Sequence, residues 1–255
     1  MKKRIQSIER AAMILKLLSS GQRRLGVVEL SRLMDLPKGT VHGILSTMLQ
    51  VGFVEQDRVS GKYQLGAGVL QLGNSYLDVN ELRKVAINWA DALASRSREA
   101  VQIGSVHDGS VLVVHHVFRP DDSVQNLEVG AALPLHASAL GKVLLAFDPA
   151  EMDLVLPKPL ERFASRTIIS ENSLAIELGD IRHKGWAGEV QEFQEDQAAI
   201  AAPIFDDRNL VVGAIGIRGD VERLCEPNLS LRQGLVSFVV DAAASISKDL
   251  AAAAK

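Results

Sequence analysis

The sequence lacks the features that would mark a disulfide-stabilised or membrane-spanning protein. Its single cysteine, Cys225, excludes an internal disulfide framework and a cysteine-rich zinc site. No apolar run reaches the roughly 18 residues that would suggest a membrane span. The first residues, MKKRIQSIER, are basic but lack the apolar stretch of a secretory signal. We therefore expect a cytoplasmic protein, and the length of 255 residues predicts one or two domains.

Net charge is also small, but it is unevenly distributed along the chain. The net charge is −3, yet residues 1–66 carry 11 Lys/Arg against 5 Asp/Glu, whereas the remaining 189 residues carry 17 against 26. The basic N-terminal segment and the larger acidic remainder indicate that only the N-terminal segment binds a polyanion. An ordinary solvated basic face is the alternative.

The N-terminal quarter shows three helical patterns followed by a hairpin pattern. Apolar residues recur at helical spacing in residues 8–18 and 27–34, and a third helical pattern begins at Pro37 and ends near Val51. Two short strand-like runs around residues 60–61 then predict a β-hairpin. Three helices and a hairpin in this order predict a winged helix-turn-helix.

The third helix contains the stretch LPKGTVHGIL, in which two glycines leave one face nearly bare. A glycine inside a helix costs roughly 1 kcal/mol relative to alanine, so a merely solvated face gains nothing from it. The second helix of a helix-turn-helix places its N-terminal residues in the major groove of DNA. We therefore predict DNA contacts from the outward face, although a solvated polar face is the alternative. The residues are Lys38, Gly39, Thr40, His42, Gly43, Ser46 and Thr47.

Further basic residues are placed to contact the DNA backbone. Arg58 and Lys62 flank the tip of the predicted hairpin and can bind phosphates. Arg4 belongs to a basic N-terminal arm of the kind that reaches an adjacent minor groove. Ordinary surface charge is the alternative for each of them.

The remainder of the chain mixes helical and strand patterns. Residues 67–79 predict a linking helix, and beyond residue 99 strands alternate with helices, which predicts one sheet with helices packed against it. The run SVQNLEV at 123–129 is expected to form a strand, and the chain is expected to end in a helix from about Asn228 to Ala252. The predicted domains are 1–66, 67–80 and 81–255.

No catalytic or metal-binding constellation emerges from the motifs. His115 and His116 are adjacent on a predicted strand and point to opposite faces. Ser138 lacks the glycines of a nucleophile elbow, and HASALGKV lacks the first glycine of a P-loop. The carboxylates of residues 189–196 fit a solvated loop or one ligand-facing acid better than paired-carboxylate catalysis. We expect no enzyme, no metal and no cofactor; an enzyme with a nucleic-acid-binding appendage is the alternative.

Several segments resemble the IclR family of bacterial transcriptional regulators. ERAAMILKLLSSG, LSRLMDLPKGTVHGILSTMLQVGFVE and GKYQLG are similar to its DNA-binding half. PLHASALGKVLLA, RFASRTI and GWAGEVQEFQEDQAAIAAPIFD are similar to its effector-binding half, so the resemblance covers nearly the whole chain. It implies an α+β protein with an N-terminal winged helix-turn-helix, a linking helix and a C-terminal GAF/PAS-like effector-binding domain built on a central antiparallel sheet.

The resemblance also implies how the protein assembles on DNA. Family members form homodimers through their DNA-binding domains, and these often pair into a tetramer, a dimer of dimers. Two helix-turn-helix units in a dimer read half-sites about one helical turn, roughly 34 Å, apart. The expected partners are therefore a double-stranded operator with an imperfect palindrome and a small-molecule effector.

Effector-binding positions can be carried over from the family residue by residue. Two positions depart from the family pattern: Ala199 replaces a frequent cysteine, and Arg218 replaces a small hydroxyl residue. An inward Arg218 suits a phosphate or a carboxylate, whereas a solvent-facing Arg218 is the alternative. The implied effector-binding residues are Ala139, Leu140, Glu189, Ala199, Gly216 and Arg218.

Within the family, five segments are most similar to actinomycete regulators of glycerol catabolism: KGTVHGIL, GFVEQD, LDVNELR, HHVFRPDDS and VERLC. This similarity implies a repressor of a glycerol operon that is released by glycerol 3-phosphate or glycerol. The alternative is an activator or repressor of amino-acid, aromatic-acid or other carboxylic-acid metabolism.

Overall fold

The computed structural model describes residues 5–19, 24–148 and 159–253. The chain divides into two compact units, Met1–Val79 and Asn80–Lys255. The first unit contains four helices and one hairpin in its described part: α1 (Gln6–Ser19), α2 (Val27–Met34), α3 (Lys38–Gln50), β1 (Val54–Gln56), β2 (Tyr63–Leu65) and α4 (Ala67–Val79).

The first unit has the predicted winged helix-turn-helix architecture. The α2–α3 turn is tight because Asp35 takes the left-handed conformation at φ 51°. Ser31 holds this turn, since its hydroxyl donates to the carbonyl of Leu36 at 2.6 Å. The hairpin pairs Val54 with Leu65 in an antiparallel register and forms the wing. The core beneath consists of Ile14, Leu18, Leu25, Leu30, Val41, Leu45, Met48, Val54 and Tyr63.

The second unit is built on a six-stranded sheet. Its helices and strands are α5 (Glu81–Ser97), β3 (Ala100–His107), β4 (Ser110–Val117), β5 (Ala132–Leu133), α6 (Ala139–Phe147), α7 (Glu171–Lys184), β6 (Ala187–Val190), β7 (Gln197–Phe205), β8 (Val211–Asp220), α8 (Val221–Leu224) and α9 (Gln233–Ala253). The strand order is β5-β4-β3-β8-β7-β6, and every neighbouring pair is antiparallel. The α+β prediction with an antiparallel sheet is therefore confirmed.

Helices cover the central strands of this sheet. Burial is continuous along β7 from Ala198 to Ile204, because α9 packs on this strand and α6 packs on it as well. Successive residues of a strand face opposite sides, so such a run requires cover on both faces. None of the helices in the described ranges is long and apolar enough to cross a membrane.

Two predicted elements differ from the structure. Residues 123–129 form no strand; they belong to the loop between β4 and β5, where Val124 is fully exposed. The strand prediction was wrong because the side chain of Gln125 bonds the backbone of Arg119 and folds the segment back on itself. The last helix begins at Gln233, since the Asn228 side chain accepts the amide of Ser230 in a local turn.

Candidate functional site

The outward face of α3 is polar and open. Val41, Leu45 and Met48 are buried at helical spacing, so the opposite side of the helix faces solvent. A Cβ atom at Gly39 or Gly43 would meet no described atom within 4 Å. The fold of this unit therefore does not require glycine at either position. The exposed residues are Lys38, Gly39, His42, Gly43, Ser46 and Thr47, and Thr40 is half-buried.

The beginning of α3 offers backbone donors. Pro37 precedes the helix and provides no side-chain cap. The amides of Lys38 and Gly39 stand in the first turn, where helical geometry gives them no carbonyl partner. Such an end binds an anion through its N–H groups and the helix dipole.

The wing has an ordered tip. The Asp57 carboxylate accepts the amide of Ser60 at 2.7 Å and the amide of Val59 at 3.1 Å. These bonds lower the pKa of Asp57 below its usual value and keep the turn compact. Arg58 is exposed at this tip. Lys62 lies at the base of the tip, and its ammonium contacts Glu29 of α2 at 3.2 Å.

Arg4 lies outside the described residues. A basic contact that sequence reasoning did not name is Arg24, whose guanidinium contacts Asp57 at 3.1 Å. Arg24 therefore stands beside the wing. Its place next to β2 follows from a bridge between Leu25 and Tyr63, which sequence periodicity does not reveal.

In the second unit, a narrow cavity lies between the start of α6 and the sheet; we call it the α6 cavity. Its interior volume is about 10 Å³, room for about one water molecule. The structure brings together at this cavity all six effector-binding positions that the family resemblance implied. They are Ala139, Leu140, Glu189, Ala199, Gly216 and Arg218.

The strand register explains why these side chains share one face of the sheet. Arg218 on β8 lies opposite Ala199 on β7, and Ala199 lies opposite Glu189 on β6. In the adjoining row, Gly216 lies opposite Gln102 on β3. Because Ala199 carries only a methyl group, no larger side chain stands between the carboxyl of Glu189 and the guanidinium of Arg218 in this row.

The start of α6 closes the cavity from the other side. Ser138 caps the helix, since its hydroxyl accepts the amide of Gly141 at 3.1 Å. A Cβ atom at Gly141 would lie 2.4 Å from the carbonyl oxygen of Leu135, so only glycine allows this close approach. The amides of Ala139 and Leu140 are in the first turn and lack a carbonyl partner within the helix.

Glu189 is the most perturbed acid of the cavity. The residue is 2% exposed, and burial raises the pKa of its carboxyl to about 7. The amides of Phe193 and Glu192 donate to its Oε1 at 3.0 and 3.2 Å, which partly opposes that rise. Near neutral pH this group can therefore either donate or accept a hydrogen bond.

A buried ion cluster supports the same region. Lys142 of α6 is fully buried, and its ammonium lies 2.7 Å from Glu192 and 3.4 Å from Glu177. Burial raises the pKa of Glu192, whereas the Lys142 charge lowers it. The second carboxylate oxygen of Glu192 has no hydrogen-bond partner among the described residues.

Arg218 points inward, which removes the solvent-facing alternative. Its side chain is 13% exposed, and its guanidinium carbon lies 5.4 Å from the ring centre of Phe193. Its Nη1 contacts Glu128 Oε1 at 3.3 Å. The amide group of Gln102 donates to Oε2 of the same carboxylate.

Sequence reasoning missed several residues that line the α6 cavity. Gln102 was detectable, because it is a polar residue inside the otherwise apolar run AVQIG. Glu128, which contacts Arg218 but does not line the cavity itself, was not detectable because its segment was assigned to a strand. The missed lining residues include Gln102, Leu133, Ser138 and Phe193.

Comparisons with known proteins identify the family of both units. The IclR helix-turn-helix domain matches residues 7–58, and the bacterial transcriptional regulator IclR C-terminal domain matches residues 74–248. The chain belongs to the IclR family of transcriptional regulators.

Relatives match over the full chain. The chain is 52% identical to the glycerol operon regulatory protein of Streptomyces coelicolor and 50% identical to that of Streptomyces griseus. Each match spans 252 residues, 99% of this chain and 99% of the relative.

Solved IclR-family structures share the fold. A regulator from Alicyclobacillus acidocaldarius has a TM-score of 0.84 at 24% identity, over 98% of this chain and 99% of that one. An IclR homologue from Microbacterium hydrocarbonoxydans, complexed with 4-hydroxybenzoate, has a TM-score of 0.81 at 26% identity, over 96% and 99%. The family matches therefore assign the helix-turn-helix to DNA binding by a transcriptional regulator, and the α6 cavity lies within the matched IclR C-terminal domain.

Proposed function

We propose that this IclR-family regulator represses a glycerol catabolic operon and is released from DNA by glycerol 3-phosphate or glycerol. The observation that carries this proposal is the identity of 52% and 50%, over 99% of each chain, to two glycerol operon regulatory proteins. The α6 cavity adds chemical support. It combines an inward arginine for a phosphate with a buried carboxyl for a hydroxyl group.

The proposed DNA contacts divide into base contacts and phosphate contacts. On α3, Lys38, Thr40 and His42 contact bases or nearby phosphates, while Gly39 and Gly43 let the backbone approach the groove. Ser46 and Thr47 complete this surface.

Arg58 binds phosphate at the wing, and Arg4 extends the contact from the N-terminal arm. Lys62 can exchange Glu29 for phosphate, because an exposed ion pair contributes little stability.

The proposed active form on DNA is a homodimer on an imperfect palindrome, with a dimer of dimers as the larger assembly. A two-fold axis in the protein requires matching half-sites about one helical turn apart. The proposed location is the cytoplasm, because a bacterial regulator meets its operator there. The protein is proposed to bind its effector without converting it.

The effector acts by linkage between two sites. A ligand changes operator affinity only when it binds the DNA-bound and the DNA-free arrangements unequally. The ligand site is proposed to consist of Ala139, Leu140, Glu189, Ala199, Gly216 and Arg218.

A second candidate function is control of aromatic-acid or other carboxylic-acid metabolism, by activation or repression. The IclR homologue complexed with 4-hydroxybenzoate favours it, and Arg218 suits a carboxylate as well as a phosphate. The higher identity to the glycerol operon regulatory proteins favours the first candidate.

Footprinting on the DNA upstream of glycerol kinase and glycerol 3-phosphate dehydrogenase genes tests the proposal. We expect one protected palindrome and loss of protection on adding glycerol 3-phosphate or glycerol. Thermal shifts with these compounds, pyruvate, glyoxylate, 4-hydroxybenzoate and amino acids identify the ligand, because a ligand of the native state raises Tm. Stabilisation only by an aromatic acid or an amino acid would contradict the glycerol assignment.

A further inference from the structure

We propose that Glu128 occupies the anion-binding position at Arg218, beside the α6 cavity, so that the anionic group of an effector must displace its carboxylate. The inference rests on the proposed effector function of this cavity and adds a residue outside the family's effector-binding positions. It names the ligand class as a small hydroxylated anion, a phosphate ester or a carboxylate.

Both oxygens of Glu128 are engaged by residues that line the cavity. Oε1 accepts from Arg218 at 3.3 Å, and Oε2 accepts from Gln102. These donors lie on neighbouring strands, β8 and β3, and on the same face of the sheet. A carboxylate held by a guanidinium and an amide has the bonding that a ligand carboxylate or phosphate would have at the same donors.

Glu128 lines a wide opening, which we call the outer basin, whereas Arg218 lines both this basin and the narrow cavity. The basin has a volume of about 350 Å³ and is lined by Arg119, Asp220 and Arg223 as well as by Glu128 and Arg218. The Glu128 side chain is 33% exposed, whereas that of Arg218 is 13% exposed. The carboxylate can therefore rotate toward the basin while the guanidinium stays in place.

The carboxylate and a ligand anion cannot share Arg218 at low cost. Two negative charges at one partly desolvated guanidinium repel each other, and like-charge juxtaposition costs several kcal/mol. An anion that binds Arg218 must therefore release Glu128. A neutral ligand has no such conflict and leaves the Arg218–Glu128 pair intact.

The loop of residues 118–131 is held in a way that allows Glu128 to move locally. Its far end is tied to β4, since Gly130 donates to Val113 at 2.8 Å and Val113 donates to Ala131 at 3.0 Å. Between this anchor and the folded-back segment, the backbone amide of Glu128 donates to Nδ1 of His116 at 3.3 Å. The backbone carbonyl of Glu128 also accepts the amide of Ala131 at 2.9 Å, so release of the carboxylate leaves the loop anchored to the sheet edge.

Three ligands with the same carbon skeleton test the inference: glycerol 3-phosphate, glycerate and glycerol. Calorimetric affinities are compared for the wild-type protein, Glu128→Gln and the control Asp122→Asn. Asp122 is an exposed carboxylate on the same loop, so the control makes the same change in net charge. Glu128→Gln should bind glycerol 3-phosphate about tenfold more tightly, glycerate to a smaller extent, and glycerol unchanged.

Several outcomes would overturn the inference. The first is that Glu128→Gln binds glycerol 3-phosphate no more tightly than the wild type does. The second is that Asp122→Asn gains as much affinity as Glu128→Gln. The third is that neither the wild type nor Glu128→Gln binds either anion. If glycerol alone then released the protein from its operator, the proposed function would remain intact. A gain confined to Glu128→Gln, in a protein that protects no operator, would instead support the inference and remove the proposed function.

A measurement on the wild-type protein covers the case in which Glu128→Gln does not fold. Hydrogen exchange of the Glu128 amide, which donates to His116, should become faster with 10 mM glycerol 3-phosphate and should not change with glycerol. This concentration is about tenfold above a typical metabolite affinity of about 1 mM or less. Slower or unchanged exchange with the phosphate would overturn the displacement of Glu128.

Discussion

At the residue scale, Glu189 shows how the fold changes the chemistry of an ordinary side chain. Its carboxyl is buried beside Glu192, and both effects raise its pKa, to about 7. The folded protein therefore holds a proton on Glu189 at pH values where the unfolded chain has already released it. Folding stability contributed by this group falls as pH rises from about 4.5 to about 7, because the ionised form is destabilised by burial.

Replacing Glu189 by Gln should remove this pH dependence. The amide oxygen can still accept the amides of Glu192 and Phe193, which both donate to one oxygen of the acid. As the pH rises from 5 to 8, the free energy of unfolding of the variant should increase relative to that of the wild type by up to about 3 kcal/mol. Urea unfolding at several pH values measures this difference, and a difference that stays constant with pH would contradict the assignment.

Gly43 carries a second prediction at this scale. A Cβ atom there would meet no described atom within 4 Å, so Gly43→Leu should fold normally and gain up to about 1 kcal/mol of helix stability. If DNA lies against this face, the same variant should lose about tenfold or more in operator affinity. Fluorescence anisotropy with the footprinted operator measures the affinity, and melting measures the stability.

Gly234→Leu is the matched control for Gly43→Leu. Gly234 is also an exposed helical glycine without a described atom within 4 Å of its would-be Cβ, but it lies on α9. The control should bind operator as wild type does. Normal operator binding by Gly43→Leu would show that the α3 outward face does not contact DNA.

At the element scale, α6 illustrates how a helix start is positioned against a backbone. Ser138 caps the helix, as its place before the apolar run LGKVLLAF allows. The position of the helix depends on Gly141, which touches the Leu135 backbone without a side chain between them. The α6 cavity exists because this close approach brings the first turn of α6 against the sheet.

Gly141→Ala should therefore destabilise the protein by about 2–3 kcal/mol, because the methyl group forces α6 away from Leu135. Gly179→Ala in α7 is the control: the nearest atom to its Cβ would be 4.0 Å away, so we expect no loss and a gain of up to about 1 kcal/mol. Thermal melting compares the two. Equal stability of both variants would contradict the close packing of α6.

Element prediction from the sequence succeeded where local signals agree. Pro37 and Gly52 bracket α3 in the sequence, and the helix runs from Lys38 to Gln50. Residues 123–129 were predicted to form a strand, but side-chain bonds to the backbone fold them into a loop, and β5 forms afterwards at Ala132–Leu133. The composition of this short segment could not exclude that outcome, because strand formation also requires a partner.

At the scale of the whole molecule, regulation is a coupling between two separate binding events. The family assigns DNA binding to residues 7–58 and the effector-type domain to residues 74–248. If an effector lowers operator affinity by some factor, operator must lower effector affinity by the same factor. This equality holds whatever structural change connects the two.

We predict that reciprocity for glycerol 3-phosphate or glycerol, whichever binds. The factor by which saturating effector weakens operator binding should equal the factor by which saturating operator weakens effector binding, and about 5–150-fold is typical. Anisotropy gives the first factor and calorimetry the second, at one salt concentration, since operator affinity depends strongly on salt. Effector affinity that operator leaves unchanged would contradict release by linkage.

The sequence by itself determined the order of elements in the winged helix-turn-helix and the bare glycine face of α3. These features depend on local propensity and on spacing within one element. Only the tertiary structure decided that Arg218 faces inward, that Glu128 contacts it from a loop 90 residues earlier, and that Glu189 has a pKa of about 7. Strand pairing between distant segments sets those distances, and burial sets that pKa, so neither can be read from local pattern.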